Sequence, residues 1–468
     1  MTHLPFDIGT THFVGIGGIG MSGIAELMHR MGLVIQGSDQ AEGGNVVRLR
    51  EMGINVAVGH SAENIGDASA IVVSSAVTMD NPELRAASER NIPILKRADM
   101  LAELMRFKWC VTIAGTHGKT TTTSLVAALL DADDRDPTVV NGGIMNAYGS
   151  NARLGAGQWM IAEADESDGT FVRLPAAIGV ITNIDPEHLD HYGSQSALED
   201  AFVNFARNVP YYGALVVNGD HPGVATIIDR IDHCKIISFG FGQDVDIRAT
   251  NLTYDNGAAI FDVQIGTQVL TGLCLPMAGK HNVLNALAAL GVARQLGVED
   301  ATIASGLAGV EGVQRRFTHV ADIAGVQIID DYAHHPVEIE AVLSAAREAY
   351  QGRVVAVVQP HRYTRLRDLF DGFCQCFGDA DMVMVADVFA AGEAPIDGFD
   401  RAGLAAGIAE AHSGEIIEIE SEAALASAIR NHCVAGDVVV CLGAGSISTW
   451  SRKLPGALGF ALEEGGAE

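Results

Sequence analysis

A chain of 468 residues is longer than one hydrophobic core organises, and domains of roughly 100–200 residues make about three the expectation. Apolar residues make up 48% and charged residues 19%, a globular composition that excludes a disordered chain. Thirty Lys plus Arg stand against 58 Asp plus Glu, and the formal net charge of -28 excludes a broad nucleic-acid footprint, which needs a basic face. An anionic ligand must therefore be held locally, by backbone N–H groups and a few placed cations.

The N-terminal MTHLPFDIGTTH has neither a basic region nor an apolar core of the secretory type. No stretch approaches 18 uninterrupted apolar residues, so no membrane partner is expected and the cytoplasm is the expected location. The seven cysteines are scattered and odd in number, as buried reduced thiols would be. In chain order, the opening third alternates β-branched runs with helical patterns. A strand is predicted at 11–17, a helix at 21–31, strands at 54–58 and 70–74, a helix from Pro82, a strand at 92–95 and a short helix at 99–105. A second series opens with a strand at 109–114 and a helix at 120–130, with further strands at 159–162 and 177–182. Three alternating runs between 245 and 275, separated by Asn-Gly and Gly-Thr, predict an antiparallel ribbon. Helices at 281–296 and after Glu299 close this block. The third series has strands at 326–329, 354–358, 382–386 and 438–442, with helices at 337–350 and 422–431. Three consecutive α/β domains follow, Rossmann-like at each end with a P-loop domain between, and boundaries near 107 and 313.

Gly15, Gly17 and Gly20 in GIGGIG meet the G-x-G-x-x-G pattern between a strand and a helix, which lets a diphosphate approach backbone amides at the positive helix end. Asp39 follows Gly20 by 19 residues, where a dinucleotide site places its ribose acid. The turn by itself does not choose between NAD and another diphosphate. AGTHGKTT carries more. It lacks the first Walker glycine, since Ile113 stands there, but its working end is complete. Gly118 lets amides wrap a phosphate, Lys119 reaches β/γ oxygens, and the Thr120 hydroxyl can ligate Mg²⁺, so ATP is the expected nucleotide. EADESD (Glu163 to Asp168) and TNIDPEH (Thr182 to His188) each end a strand, where carboxylate and imidazole can serve a metal. Asn282 and Asn285 stand one turn apart and either cap a helix or read an adenine edge. DDYAHHP (330–336) and QPHRYTR (359–365) also end strands, and their arginines suit a carboxylate.

Together GIGGIGMSGIAE, GTHGKTTT, EADESD, TNIDPEHLD, HNVLNALAA, RRF, DDYAHHP and QPHRYTR closely resemble the Mur ligase family of peptidoglycan synthesis, over essentially the whole chain. GTHGKTTT marks the wider family, while GIGGIGM, DDYAHHP and QPHRYTR resemble its alanine-adding branch. The resemblance implies a UDP-sugar domain at 1–107, a central ATPase at 108–313 and an amino-acid domain at 314–468. It implies UDP-N-acetylmuramate and L-alanine as substrates, ATP and Mg²⁺ as cofactors, and a monomer or weak homodimer. Gly15, Gly17, Gly18 and Gly20 would then cradle the UDP diphosphate, with Asp39, His60, Asn64, Ser74 and Ser75 around the UDP-sugar. Gly115, Thr116, His117, Gly118, Lys119, Thr120 and Thr121 would grip ATP, joined by Asn282, Asn285, Arg316 and Asp331. Thr120, Glu163 and His188 would hold the metal, and Lys119, Glu163 and His188 would be catalytic. Tyr332, His334, Arg362 and Arg365 would orient alanine. Two other readings stay open: a Mur-type ligase for a different amino acid or peptide, and an NAD-dependent oxidoreductase.

Overall fold

The computed structural model describes residues 8–464 apart from residues 75 and 256. Three sheets carry the α/β layers, in two compact units. One unit runs to Asn251 and takes in Phe261–Leu273 and Leu284–Val313; the other comprises Leu252–Ile260, Cys274–Val283 and the chain from Gln314 onward.

The first sheet contains β1 (Thr11–Val14), β2 (Ile35–Asp39), β3 (Asn55–Val58), β4 (Ala70–Val73) and β5 (Ile94–Lys96), in the order β3-β2-β1-β4-β5. All its pairings are parallel. Strand order reverses beside β1, so the glycine turn after it opens at the switch point, where doubly wound sheets bind ligands. β1 is buried throughout, as a strand covered on both faces must be. β2 was not visible in the sequence because its residues, IQGSD, are largely polar. A Cβ at Gly37 would come within 2.7 Å of Ile16 Cδ1, and Ser38 faces a buried polar cluster.

The second sheet holds β6 (Trp109–Ala114), β7 (Thr138–Met145), β8 (Ser150–Arg153), β9 (Trp159–Glu163), β10 (Ile178–Ile181), β11 (Ala214–Asn218) and β12 (Lys235–Gly240), followed by β13 (Ile247–Asp255), β14 (Ala258–Ile265) and β15 (Gln268–Leu275). Its order is β15-β14-β13-β12-β11-β10-β6-β9-β7-β8, so β6 is again a switch strand, with the Lys119 loop at its carboxyl end. Helix Ile19–Arg30 docks on the β7–β8 side of this sheet. Buried Glu26 accepts from Ser150 Oγ at 2.9 Å and from Arg30 Nε at 2.9 Å, and Asn151 donates to the Ile19 carbonyl.

The third sheet contains β16 (Thr318–Ile323), β17 (Val326–Asp331), β18 (Val354–Val358), β19 (Met382–Ala386), β20 (Glu415–Ile419) and β21 (Val438–Leu442), in the order β16-β17-β21-β18-β19-β20. Asp331 and Val358 both register with Leu442, which brings the ends of β17 and β18 to one edge. Among the described residues no helix is long and apolar enough to cross a membrane.

Candidate active site

β6 ends at Ala114, and the chain turns through 115–118 into helix Lys119–Ala132. Two positions of the turn require glycine. Gly115 has φ 135° and Gly118 φ 81°, and an added Cβ would sit 2.0 Å from Thr182 Oγ1 or 2.4 Å from Asn285 Oδ1. The segment after β10 clamps the loop from outside. The His117 N–H donates to Asn183 Oδ1 at 2.7 Å, Thr182 Oγ1 donates to the His117 carbonyl at 2.6 Å, and the Asp185 N–H donates to Thr116 Oγ1 at 2.8 Å. The loop is thereby preorganised, with the Thr116 and His117 amides both donating to Asn183.

Lys119 is enclosed by acids. Its ammonium donates to the carbonyls of Gly115 and Thr116 at 2.6 and 2.9 Å and lies 2.8 Å from Glu166 Oε2. Burial by itself would lower its pKa, but Glu166, then Glu163 and Asp165, outweigh that and raise it, so the ammonium stays charged. Burial pushes Glu166 up to about 7 against the pull of Lys119. Thr120 Oγ1 donates to Glu163 Oε2 at 2.8 Å, and the Gly142 N–H reaches the same oxygen at 2.8 Å. Hydroxyl and carboxylate oxygens converge there as a hard donor set of the kind Mg²⁺ takes. His188, held at φ 55°, stands beside Glu166, 3.7 Å from Oε1.

The first glycine turn has a different support. The Gly17 N–H donates to Asp39 Oδ2 at 2.8 Å, so the acid expected at a ribose secures the turn itself. Ser74 packs under Gly15, while Ser75 lies outside the described residues. His60 and Asn64 belong to a cluster around fully buried Glu83. Glu83 accepts from Ser38 Oγ at 2.6 Å and Asn64 Nδ2 at 2.6 Å, lies 3.1 Å from His12 Nε2, and has His60 Nδ1 at 3.5 Å. Burial would raise its pKa, but the hydrogen bonds from His12, Ser38 and Asn64 prevail and hold it at about 2. A cavity of about 290 Å³ joins this turn to the nucleotide end, with Gly18, Gly20 and Ser74 on one side and Asn141, Glu163 and Asp165 on the other. Arg97 lines it too, 2.9 Å from Asp165 Oδ2 and 3.0 Å from where a Gly20 Cβ would be. Arg97 and Glu83 carry no signal in the sequence, because their partners lie far away in the chain and neither belongs to a motif.

The asparagines of helix Lys280–Gln295 divide their work. Asn285 Oδ1 accepts from Thr122 Oγ1 at 3.2 Å beside the Lys119 loop, and Asn282 Nδ2 donates to the Ala278 carbonyl at 2.7 Å, which secures the helix start. In the second unit, Asp331 is buried and accepts the N–H groups of Phe317 and Ala333, each at 2.7 Å; burial raises its pKa to about 6. Arg315 and Arg316 lie over the Tyr332 ring, at 4.6 and 5.3 Å from its centre. Tyr332, His334 and His361 form a chain of edge-to-face rings with centroids 5.2 and 6.0 Å apart. Burial lowers His334 and His361 to about 4, with Arg365 adding to the effect on both. Arg362, held at φ 71°, opens the helix that carries Arg365. Imidazoles and cations thus share this strand edge with the carboxylate of Glu338, 3.3 Å from His334 Nδ1.

Three family models cover the chain in succession: the Mur ligase family catalytic domain over residues 10–109, the Mur ligase middle domain over 113–293, and the Mur ligase glutamate ligase domain over 315–445. The chain belongs to the Mur ligase family. It is 56% identical to the UDP-N-acetylmuramate–L-alanine ligase of Rhodopseudomonas palustris strain BisB18, over 97% of this chain and 99% of that one. It is 57% identical to the enzyme of the same name from Parvibaculum lavamentivorans, over 97% and 94% of the two chains. The crystal structure of UDP-N-acetylmuramate-alanine ligase from Thermotoga maritima matches with TM-score 0.82 and 29% identity, over 97% of this chain and 99% of that chain. A folylpolyglutamate synthase from Mycobacterium tuberculosis, at 16% identity and TM-score 0.59, shares the fold. By this membership the chain is a ligase with three α/β domains.

Proposed function

We propose that the chain joins L-alanine to the lactyl carboxylate of UDP-N-acetylmuramate with cleavage of ATP to ADP and phosphate, a step of peptidoglycan precursor synthesis. One observation carries the reading: a single cavity is lined by the first glycine turn and by Glu163 and Asp165 beside the Lys119 loop. A diphosphate held at Gly18–Gly20 can therefore extend its sugar acid toward a nucleotide's terminal phosphate. The names of relatives more than half identical over nearly the full chain support the choice of sugar and amino acid.

Residues 1–107 are assigned to the UDP-sugar, 108–313 to ATP and 314–468 to alanine. A free carboxylate cannot form an amide at neutral pH, because its oxide is too poor a leaving group. The lactyl carboxylate oxygen attacks the γ-phosphorus, the bond to the bridging oxygen breaks, and ADP departs. Alanine's neutral amine then attacks the acyl-phosphate carbonyl, and the tetrahedral intermediate expels phosphate as the amine gives up its proton. No enzyme nucleophile is required, so positioning and charge neutralisation account for the catalysis. Lys119, kept protonated by its acids, is the cation assigned to the β/γ oxygens. Thr120, Glu163 and His188 are the residues that would hold Mg²⁺, which when bound neutralises the phosphate oxygens during transfer. Gly115–Thr121 grip the nucleotide with Asn285 beside the loop, while Asn282 and Asp331 are held by their own backbone partners. Tyr332, His334, Arg362 and Arg365 orient the amino acid.

The test mixes the chain with ATP, Mg²⁺, UDP-N-acetylmuramate and one amino acid at a time, and weighs the sugar product. The expected result is a mass increase with alanine, dependent on ATP and accompanied by equal phosphate. A product with another amino acid or a peptide alone would reassign the amine, and no conjugate with any amine would end the ligase reading.

A further inference from the structure

A larger cavity, of about 720 Å³, opens at the opposite ends of the same strands. It is lined by the last turn of helix Ile19–Arg30, the link from Leu104 to Trp109 and the segment 154–158 before β9. β6 is six residues long, so at about 3.3 Å per residue the Trp109 wall lies roughly 20 Å from Gly115. Helix Ile19–Arg30, with 12 residues at about 1.5 Å each, sets a similar distance from the first glycine turn. The cavity is thus remote from both phosphate-binding turns, and its volume lies within the range of about 300–1,000 Å³ usual for small-molecule sites.

Its walls specify a chemistry. Leu27, Met31 and Met160 form an apolar floor, and Leu154, Phe107 and Trp109 at the rim are 37%, 37% and 50% exposed. In a chain of net charge -28, three cations line it (Arg30, Arg106 and Lys108) and, among the described residues, no carboxylate does. Arg30 is committed to Glu26 at 2.9 Å. Arg106 pairs with exposed Glu103 at 3.4 Å, an ion pair of a kind that contributes little. The Lys108 ammonium donates to the carbonyls of Gly155 and Gly157 at 2.6 and 2.7 Å, which accounts for two of its three donors. Burial lowers the Lys108 pKa and Asp136 opposes that only in part.

We propose that this cavity binds a small amphipathic anion, one acidic group on an aromatic or aliphatic body, with the acid at Lys108 and Arg106 and the body over Met31, Leu154 and Met160. Neither the nucleotide nor the sugar nucleotide should compete for it.

The probe is 8-anilinonaphthalene-1-sulfonate, titrated by fluorescence into the full chain saturated with ADP and UDP-N-acetylmuramate. One saturable site is expected, with emission excited through tryptophan because Trp109 is in the wall. 2-Naphthoate and decanoate displace the probe, the better competitor showing whether the body is aromatic or aliphatic, while uncharged 2-naphthol competes about tenfold less well for want of the charge-assisted bond. Arg106→Glu should weaken probe binding about tenfold with ligase turnover unchanged, and Met31→Trp should block it by filling the floor. The proposal is overturned if the probe binds only when ADP or the UDP-sugar is left out, if neither acid displaces it, if 2-naphthol competes equally, or if both variants bind the probe like the parent.

Discussion

The chain contains two strand–glycine turn–helix units built to the same local plan, and they differ in where their charge comes from. The turn at 115–118 carries its own Lys119 and is ringed by Glu163, Asp165 and Glu166, with Thr120 against Glu163. The turn at 15–20 carries no cation. Asp39 secures it from behind, and a guanidinium, Arg97, arrives from another helix and is paired with Asp165. A diphosphate that is only held needs amides, a helix end and one cation, whereas a phosphoryl group that is transferred needs a fixed ammonium and oxygen ligands for a metal.

The largest effect that sharpens this contrast is expected from Lys119→Ala. Product formation should fall by about 10²–10³ or more, the scale of losing one preorganised electrostatic stabiliser, while calorimetric binding of the UDP-sugar stays nearly intact. Retained turnover, or lost sugar binding, would break the division of labour. Glu83→Gln tests the frame behind the first turn. The Glu83 carboxyl drops from its ordinary 4.5 to about 2, so the ionised group stabilises the fold above about pH 4.5, and that contribution disappears as the pH falls through 2. The variant should lose about 3 kcal/mol at pH 7 in urea unfolding, and the gap should shrink by half or more at about pH 3. A gap independent of pH would show that packing and not charge is involved.

Arg97→Ala should raise the KM for the UDP-sugar about tenfold to a hundredfold, the weight of one or two charge-assisted hydrogen bonds, with a much smaller change in kcat. A fall in kcat alone would move Arg97 to the transfer side of the comparison. The smallest effect belongs to Thr182→Val. Its hydroxyl supports the His117 carbonyl, but Asn183 Nδ2 donates to the same oxygen at 3.1 Å, so the KM for ATP should rise by only about fivefold. No change at all would mean that Asn183 holds the loop alone.

Much of the fold is legible in the sequence. Fully buried strands such as VVAVV at 354–358 and MVMVA at 382–386 are continuous β-branched or apolar runs, and the glycine turns occur where a phosphate loop requires them. β2 was illegible, since its polar residues answer to Ile16 and Glu83 rather than to a strand pattern. The two asparagines of HNVLN were likewise undecidable from spacing: one secures the helix start and the other meets Thr122.

From sequence alone came the alternation of strands and helices, the two glycine turns, Lys119 and Thr120, and the kind of chemistry they serve, because those requirements are met within a few consecutive residues. Tertiary structure alone decided that Arg97 meets the first turn and Asp165, that Glu83 gathers His12, Ser38 and Asn64, and that one cavity joins the two turns. Those meetings depend on strand order and helix docking, which bring together groups distant in the chain and leave no local pattern to read.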